Sequence, residues 1–274
     1  MSEERVKITI EDHVAEVAMV RSDKHNALDG DTFDAIAAAA IRLADEPGLR
    51  VVVLHGEGPS FCSGIDVGWL AGGQAEGFGE EAIKRDGFGA NLFQRVATAW
   101  MEVPVPVIAA IQGNCLGGGL QIALGADIRI VAPDARMSVR EVHWGLVPDM
   151  GITATLPRLL PLDVAKELTY TGRIISGEEA AVLGLATRTS DDPLTAAREL
   201  AAEIADRSPD AVRAAKKLFE STWHGGGQAG LELESELQFG LIGKANQMSA
   251  VMAGVSKEPA DFVDPEPGSR GATR

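Results

Sequence analysis

The ten residues from Gln112 to Gln121, QGNCLGGGLQ, constrain this chain more than any other stretch. They follow an apolar run, Val105 to Ile111, that reads as a buried strand. They precede Ile122 to Gly125, which reads as a helix interior and its stop. Gly117, Gly118 and Gly119 let the backbone come close to a ligand and take angles that side chains forbid. A helix N-terminus beyond them offers unpaired N–H groups and a positive dipole end. Such a turn either packs strand and helix tightly or builds a hole for an anion, and the triplet alone fits both.

A chain of 274 residues can bury a large core as one α/β domain or a domain with an appendage. The net charge of −15 argues against nucleic acid or an anionic membrane as the main partner. Small anions remain possible, because local amide dipoles bind them despite overall repulsion. The opening MSEERVKITIEDH lacks the apolar core and cleavage pattern of a signal peptide, and no run approaches a membrane span. Cys62 and Cys115 have neither zinc spacing nor a disulfide framework, so a cytoplasmic, reducing setting is expected.

Along the chain, Val6, Ile8 and Ile10 alternate with polar residues, and Val14 to Val20 is a second β-rich run, together predicting an antiparallel hairpin. Asp31 reads as the N-cap of an Ala-rich helix from about Thr32 to Asp45. Leu49 to Leu54 is a buried strand, and Phe61-Cys62-Ser63-Gly64-Ile65-Asp66 follows it with another permissive glycine. Residues 71–89 read as a mobile loop and Asn91 to Met101 as a helix. Asp127 to Val131 and Arg136 to Val139 read as short strands, which makes the core α/β. From Pro161 the pattern turns helical: Pro161 to Thr171, Gly177 to Leu183, Pro193 to Arg207, and a helix opened by Ser208-Pro209 and running to about Thr222. Gly225-Gly226-Gly227 interrupts it, and Leu231 to Val255 is helical in one or two pieces.

Two glycine-bearing strand ends, at Ser63-Gly64 and Gly117-Gly118, could supply paired N–H donors to one developing oxyanion. Glu141 and Asp149 stand in an apolar neighbourhood with Val142, Trp144 and Leu146, where desolvation raises a carboxyl pKa toward the range useful for acid–base work. The competing reading pairs Glu141 with Arg140 or Arg136 and makes Asp149 a helix cap. Gln121, one turn into the glycine helix, could face a ligand or be an ordinary polar helix residue. Trp69, Trp100, Trp144 and Phe88 could wall an apolar pocket or be plain core. His13, His25, His55, His143 and His224 show no ligand spacing, and of these His143, near Glu141, could line the pocket. The sequence Gly77-Phe78-Gly79 follows no strand and is not a dinucleotide fingerprint, and neither a P-loop lysine nor a GxSxG elbow is present.

Taken in order, several pieces resemble the crotonase superfamily, also called the enoyl-CoA hydratase/isomerase family. They are Lys24-His25-Asn26-Ala27-Leu28, Phe61 to Asp66, Val107 to Gly113, Gly117-Gly118-Gly119, Ala126-Asp127-Ile128-Arg129, Glu141 to Gly151, Thr171 to Ser176, and Ala180 with Gly184-Leu185. The resemblance spans residues 5 to 255 or so. It implies an α/β, crotonase-like spiral of ββα units over residues 1–200 that binds a CoA thioester. A C-terminal helical oligomerisation region over 201–256 would form a homotrimer or hexamer, and residues 257–274 would be a poorly ordered tail.

The resemblance further implies an oxyanion hole at Ser63 and Gly118. Lys24, His25, Ala27, Ser63, Gly64, Ile65 and Asp66 would border CoA, with Gln121, Trp69 and Trp144 near the acyl group. CoA would be part of the substrate, and neither a metal nor another cofactor is expected. The segment from Arg140 to Gly151 is most similar to the dienoyl-CoA isomerase branch, with Glu141 and Asp149 as the acid–base pair. A typical hydratase of the family has glutamates at the positions of both Gln121 and Glu141, and here the first is Gln. Double-bond isomerisation is therefore the expected reaction. Hydration by Glu141 alone and non-catalytic CoA-thioester binding are the alternatives.

Overall fold

In a computed structural model, residues 4–72, 84–87 and 89–265 are described. The expected hairpin forms from β1 (Val6–Glu11) and β2 (Val14–Met19), paired antiparallel with Val6 opposite Met19. Helix α1 (Gly30–Ala44) then returns the chain to β3 (Val51–Gly56), parallel to β2. The N-cap of α1 is Asp29 and not Asp31: its carboxylate accepts from Thr32 N at 3.0 Å and is held by Arg5 and Arg21. Asp31 sits one step inside the first turn, where it faces the dipole and caps nothing.

Strands β4 (Val107–Ile111), β6 (Ile128–Val131) and β9 (Arg188–Thr189) complete a six-stranded sheet in the order β1-β2-β3-β4-β6-β9. Helices α2 (Val67–Ala71) and α3 (Leu92–Glu102) lie between β3 and β4, and Asn91 with Gln94 forms a capping box at the start of α3. Most of the stretch expected to be a mobile loop, 73–83 and 88, lies outside the described residues, as do Phe88 and the Gly77-Phe78-Gly79 sequence.

The central strands β3 and β4 are buried on both faces, which explains why they are apolar without alternation. Val52, Leu54, Ala109 and Ile111 face the main core with α1 and α3. Val51, Val53, Ile108 and Ala110 face Ala197, Ala201 and Ala205 of α8 (Pro193–Ala205).

A second sheet decides where chemistry can happen. β5 (Asn114–Leu116), β7 (Arg136–Ser138) and β8 (Ile175–Ser176) form it, and Cys62 joins its edge by a parallel bridge to Cys115. Each turn of the chain thus adds one strand to the large sheet and a short one to the small sheet: β3 then Cys62, β4 then β5, β6 then β7. This is the spiral expected for the α/β core, and a helical C-terminal region follows it.

That region contains α9 (Pro209–Thr222), α10 (Gly227–Leu241) and α11 (Ala245–Ser256), so the Leu231–Val255 stretch is two helices. Lys216 anchors α9 from a buried position, its Nζ donating to Trp100 O, Val105 O and Asp127 Oδ2. Earlier in the chain, α4 (Gly118–Leu124) and α7 (Gly177–Leu183) pack on the small sheet, the four-residue α5 (Ile152–Thr155) lies against α4, and α6 (Leu162–Thr171) lies against the Glu141–Trp144 turn. Within the stretch anticipated as a loose tail, Val263 N donates to Asn246 Oδ1 and Asp264 pairs with Arg50. Residues 266–274 lie outside the described set.

Candidate active site

Three spiral turns end side by side. Cys62 N donates to Asn114 O, Leu116 N to Cys62 O, and Gly117 N to Ser138 O. The segments 62–66, 114–118 and 138–141 are thereby stitched into one wall. Two glycines make this possible. Gly64 has φ +87, and a Cβ there would lie 2.6 Å from Leu116 O. Gly117 has φ +52 and ψ −120, a region open almost only to glycine, with Glu141 Oε1 3.2 Å from where its Cβ would be.

A cavity of about 190 Å³ opens on this wall, lined by Ser63, Gly64, Ile65, Gly117, Gly118, Arg140, Glu141 and Asp149, with Val67, Trp144, Leu146, Val147 and Met150 as its apolar side. Drug-sized pockets run to about 300–1,000 Å³, so this space encloses the reacting end of a ligand and leaves the remainder outside.

Among the backbone N–H groups that line the cavity, those of Ile65 and Gly118 stand at the two glycine-bearing strand ends and have no backbone partner among the described residues. The Ser63 N–H, expected as an oxyanion donor, already donates to His25 O at 2.9 Å, which corrects that assignment. The neighbouring ladder explains the alternation: Leu28 N donates to Gly64 O and Asp66 N to Leu28 O, leaving the Ile65 amide between them turned away from the pairing. Helix α4 has only seven residues, so its contribution at Gly118 is a directed donor more than a large macrodipole.

Glu141 and Asp149 line the same cavity. Glu141 opens a 3-10 turn, Glu141–Trp144, at the end of the third spiral turn, and Asp149 lies in the loop that leads to α5. Neither takes the structural role weighed against function. Arg140 donates to Gly172 O and, among the described residues, no arginine pairs with Glu141, while Gly151 holds the N-cap position of α5 without a side-chain cap. Burial pushes the Glu141 carboxyl above its ordinary range; hydrogen bonds from its own backbone N–H, from Gln121 and from the Arg140 N–H oppose this, and the charge of Asp149 adds to the rise. Burial likewise raises Asp149. Glu141 Oε2 is buried with no partner.

Several anticipated residues sit elsewhere. Gln121 does not line the cavity; it is buried behind it, with Nε2 2.6 Å from Glu141 Oε1 and Oε1 2.8 Å from Met150 N. Trp69 packs on Phe33 with ring centroids 6.1 Å apart and Trp100 is fully buried core, whereas Trp144 does line the cavity. His143 stacks edge-on against Trp144 outside it.

Lys24, His25 and Ala27 adjoin the wall without lining the cavity, joined to it by the His25 O and Leu28 bonds above. Lys24 and His25 are exposed, and His25 Nδ1 meets Ser60 Oγ at 2.9 Å. Asp66 is committed to Arg21 and to the N-terminus of α2, where it accepts from Gly68 N and Trp69 N. The apolar Val67, Leu146 and Val147 were not singled out from the sequence. Their signal was an apolar pair in a Gly- and Pro-bounded loop, and Val147 is 73% exposed.

Among the described residues no three metal-ligating side chains cluster, and no helix is long and apolar enough to cross a membrane. Cys62 and Cys115 are both free and buried.

Residues 9–265 match the family described as enoyl-CoA hydratase/isomerase. The carnitinyl-CoA dehydratase of Salmonella enteritidis PT4 is 35% identical over 221 residues, covering 80% of this chain and 81% of that protein. Among solved structures, an enoyl-CoA hydratase from Bacillus anthracis is 29% identical with a TM-score of 0.85, covering 94% of this chain and 99% of the other. The enoyl-CoA hydratase EchA1 from Mycobacterium marinum is 28% identical with a TM-score of 0.82, covering 95% and 99%.

Proposed function

The chain belongs to the enoyl-CoA hydratase/isomerase family of acyl-CoA enzymes, and from that premise we propose that it moves a double bond within an enoyl- or dienoyl-CoA. The thioester oxygen sits between the N–H groups of Ile65 and Gly118. A carboxylate, Glu141 first, takes a proton from the carbon activated by that carbonyl. The C–H electron pair becomes an enolate whose charge rests on the held oxygen. A carboxyl then returns a proton at a carbon farther along the conjugated system, and the double bond has moved with no water added.

One observation carries this reading: the buried carboxyl of Glu141 and the more exposed one of Asp149, both with raised pKa, line the same small cavity as the Ile65 and Gly118 amides. Donors aimed at the developing oxyanion are worth about 10²- to 10³-fold in rate each. A carboxyl with a raised pKa both accepts and returns protons near neutral pH. The apolar side formed by Val67, Trp144, Leu146 and Val147 suits an acyl chain, while CoA runs out past Lys24 and His25. Apolar residues left exposed on and between α10 and α11, including Leu231, Phe239, Ile242 and Val255, support assembly into an oligomer.

The relative named a carnitinyl-CoA dehydratase favours a second reading, addition or removal of water at the same enolate, with Glu141 as the acid–base group. NMR analysis in D₂O with 2-enoyl-, 3-enoyl- and 3,5-dienoyl-CoA separates the two. Isomerisation yields moved double bonds and deuterium at the exchanged carbons. A 3-hydroxyacyl product establishes the second reading and overturns the first.

A further inference from the structure

Gln121 is absorbed by neither the cavity nor the proton steps above, yet it bonds to Glu141 and to the backbone of the residue that follows Asp149. Its amide oxygen lies 2.8 Å from Met150 N, next to Asp149, and its amide nitrogen lies 2.6 Å from Glu141 Oε1. A backbone N–H can only donate, so the end of Gln121 that meets Met150 must be the oxygen. The other end is then NH₂, which can only donate, so Glu141 Oε1 must accept. A proton on Oε1 would face an N–H with no lone pair between them.

We propose that Gln121 is a positioning residue that restricts the proton carried by Glu141 to Oε2 and locks the Asp149 loop to the same support. Oε2 is buried, without a partner, and belongs to a residue that lines the cavity. The proton therefore leaves from and returns to a single oxygen. The chain of polarity runs Met150 N–H to Gln121 oxygen, then Gln121 NH₂ to Glu141 Oε1, and it is buried throughout, where an unmade hydrogen bond is costly. The inference rests on the proposed proton-transfer role of Glu141 for its catalytic meaning, but its structural content can be read without turnover.

Other charged groups near Glu141 set the background. Asp149 faces it from the loop before α5. On its own turn Arg140 is directed to Gly172 O and His143 is stacked on Trp144. On α6, packed against that turn, Asp163, Lys166 and Glu167 are exposed, and Glu167 is paired with Arg173. From α4 only the non-titrating Gln121 reaches the carboxyl.

The test is a ¹³C NMR titration of the Glu141 carboxyl, assigned by loss of its signal in Glu141→Gln, in wild type, Gln121→Leu and Gln121→Glu. Leu removes the donor to the charged form, and Glu forces a shared proton between two carboxyls. Both should raise the midpoint by about one pH unit or more, Glu by the larger amount. If turnover is found, the acid limb of kcat should move the same way, with kcat down about 10-fold or more in Gln121→Leu and KM changed less than about 3-fold.

An unmoved midpoint in both folded variants overturns the inference whatever the activity. A moved midpoint with no turnover on any thioester upholds it and counts against the proposed function instead. Should Gln121→Leu fail to fold, Gln121→Glu, nearly isosteric, decides alone.

Discussion

Replacing Gly64 by Ala tests whether the wall of the cavity must be as closely built as it is. At φ +87 any side chain is strained, by about 1–2 kcal/mol. The added Cβ would also lie 2.6 Å from Leu116 O, where ordinary contact begins near 3.4 Å. The Leu116 carbonyl or the Gly64 backbone must therefore retreat by about 0.8 Å, a displacement of the size that costs about 10²-fold in well-aligned reactions. Ile65 follows Gly64, and Gly118 N is itself only 3.6 Å from the same Cβ position, so both proposed donors move.

The expected outcome is a loss of kcat of about 10²-fold with KM within a few-fold, and a Tm lower by several degrees. Gly243→Ala is the control, because Gly243 has φ +77 and nothing within 4 Å of its Cβ position. It should carry the backbone strain and lower Tm while leaving kcat unchanged. Steady-state kinetics with the substrate found in D₂O, alongside thermal melts, give both quantities. Should Gly64→Ala keep kcat within about 3-fold of wild type, the closeness of the two loops is not what positions the oxyanion donors.

Two further expectations concern burial. Glu141 has its folded pKa raised, so its contribution to stability is full below the unfolded value near 4.3 and is lost as pH rises through the folded pKa. Glu141→Gln should therefore melt higher than wild type at pH 8, with the gap closing toward pH 5, while abolishing proton exchange; a gap independent of pH would show that ionisation of Glu141 is not the cause. Burial pushes the Cys62 thiol up to about 12 and Cys115 also well above its ordinary value. Neither should react with a thiol reagent in the native protein, both should on unfolding, and rapid native labelling would contradict their burial.

Much of the fold was legible in particular residues. Alternation in Val6 to Ile10, the unbroken apolar runs before Gly56 and Gln112, and Ser208-Pro209 each specify an element through short-range physics, and each element formed there. The N-cap of α1 was misplaced because two aspartates two residues apart have equal local claims, and only Arg5 and Arg21, distant in sequence, choose Asp29. Glu141 and Asp149 were legible as carboxylates among apolar neighbours, since desolvation follows local composition.

The tertiary structure alone decided the hydrogen-bond direction of each group. Whether Ser63 or Ile65 has a free amide depends on which carbonyl of the segment 25–28 lies opposite, a matter of register between segments far apart in the chain. Whether Gln121 faces the ligand or braces Glu141 depends on where Met150 N comes to rest. By itself the sequence determined that two glycine-bearing strand ends and two carboxylates exist. Folding determined which atoms of each remain unsatisfied, because a polar atom is free for chemistry only after every nearer partner has been placed.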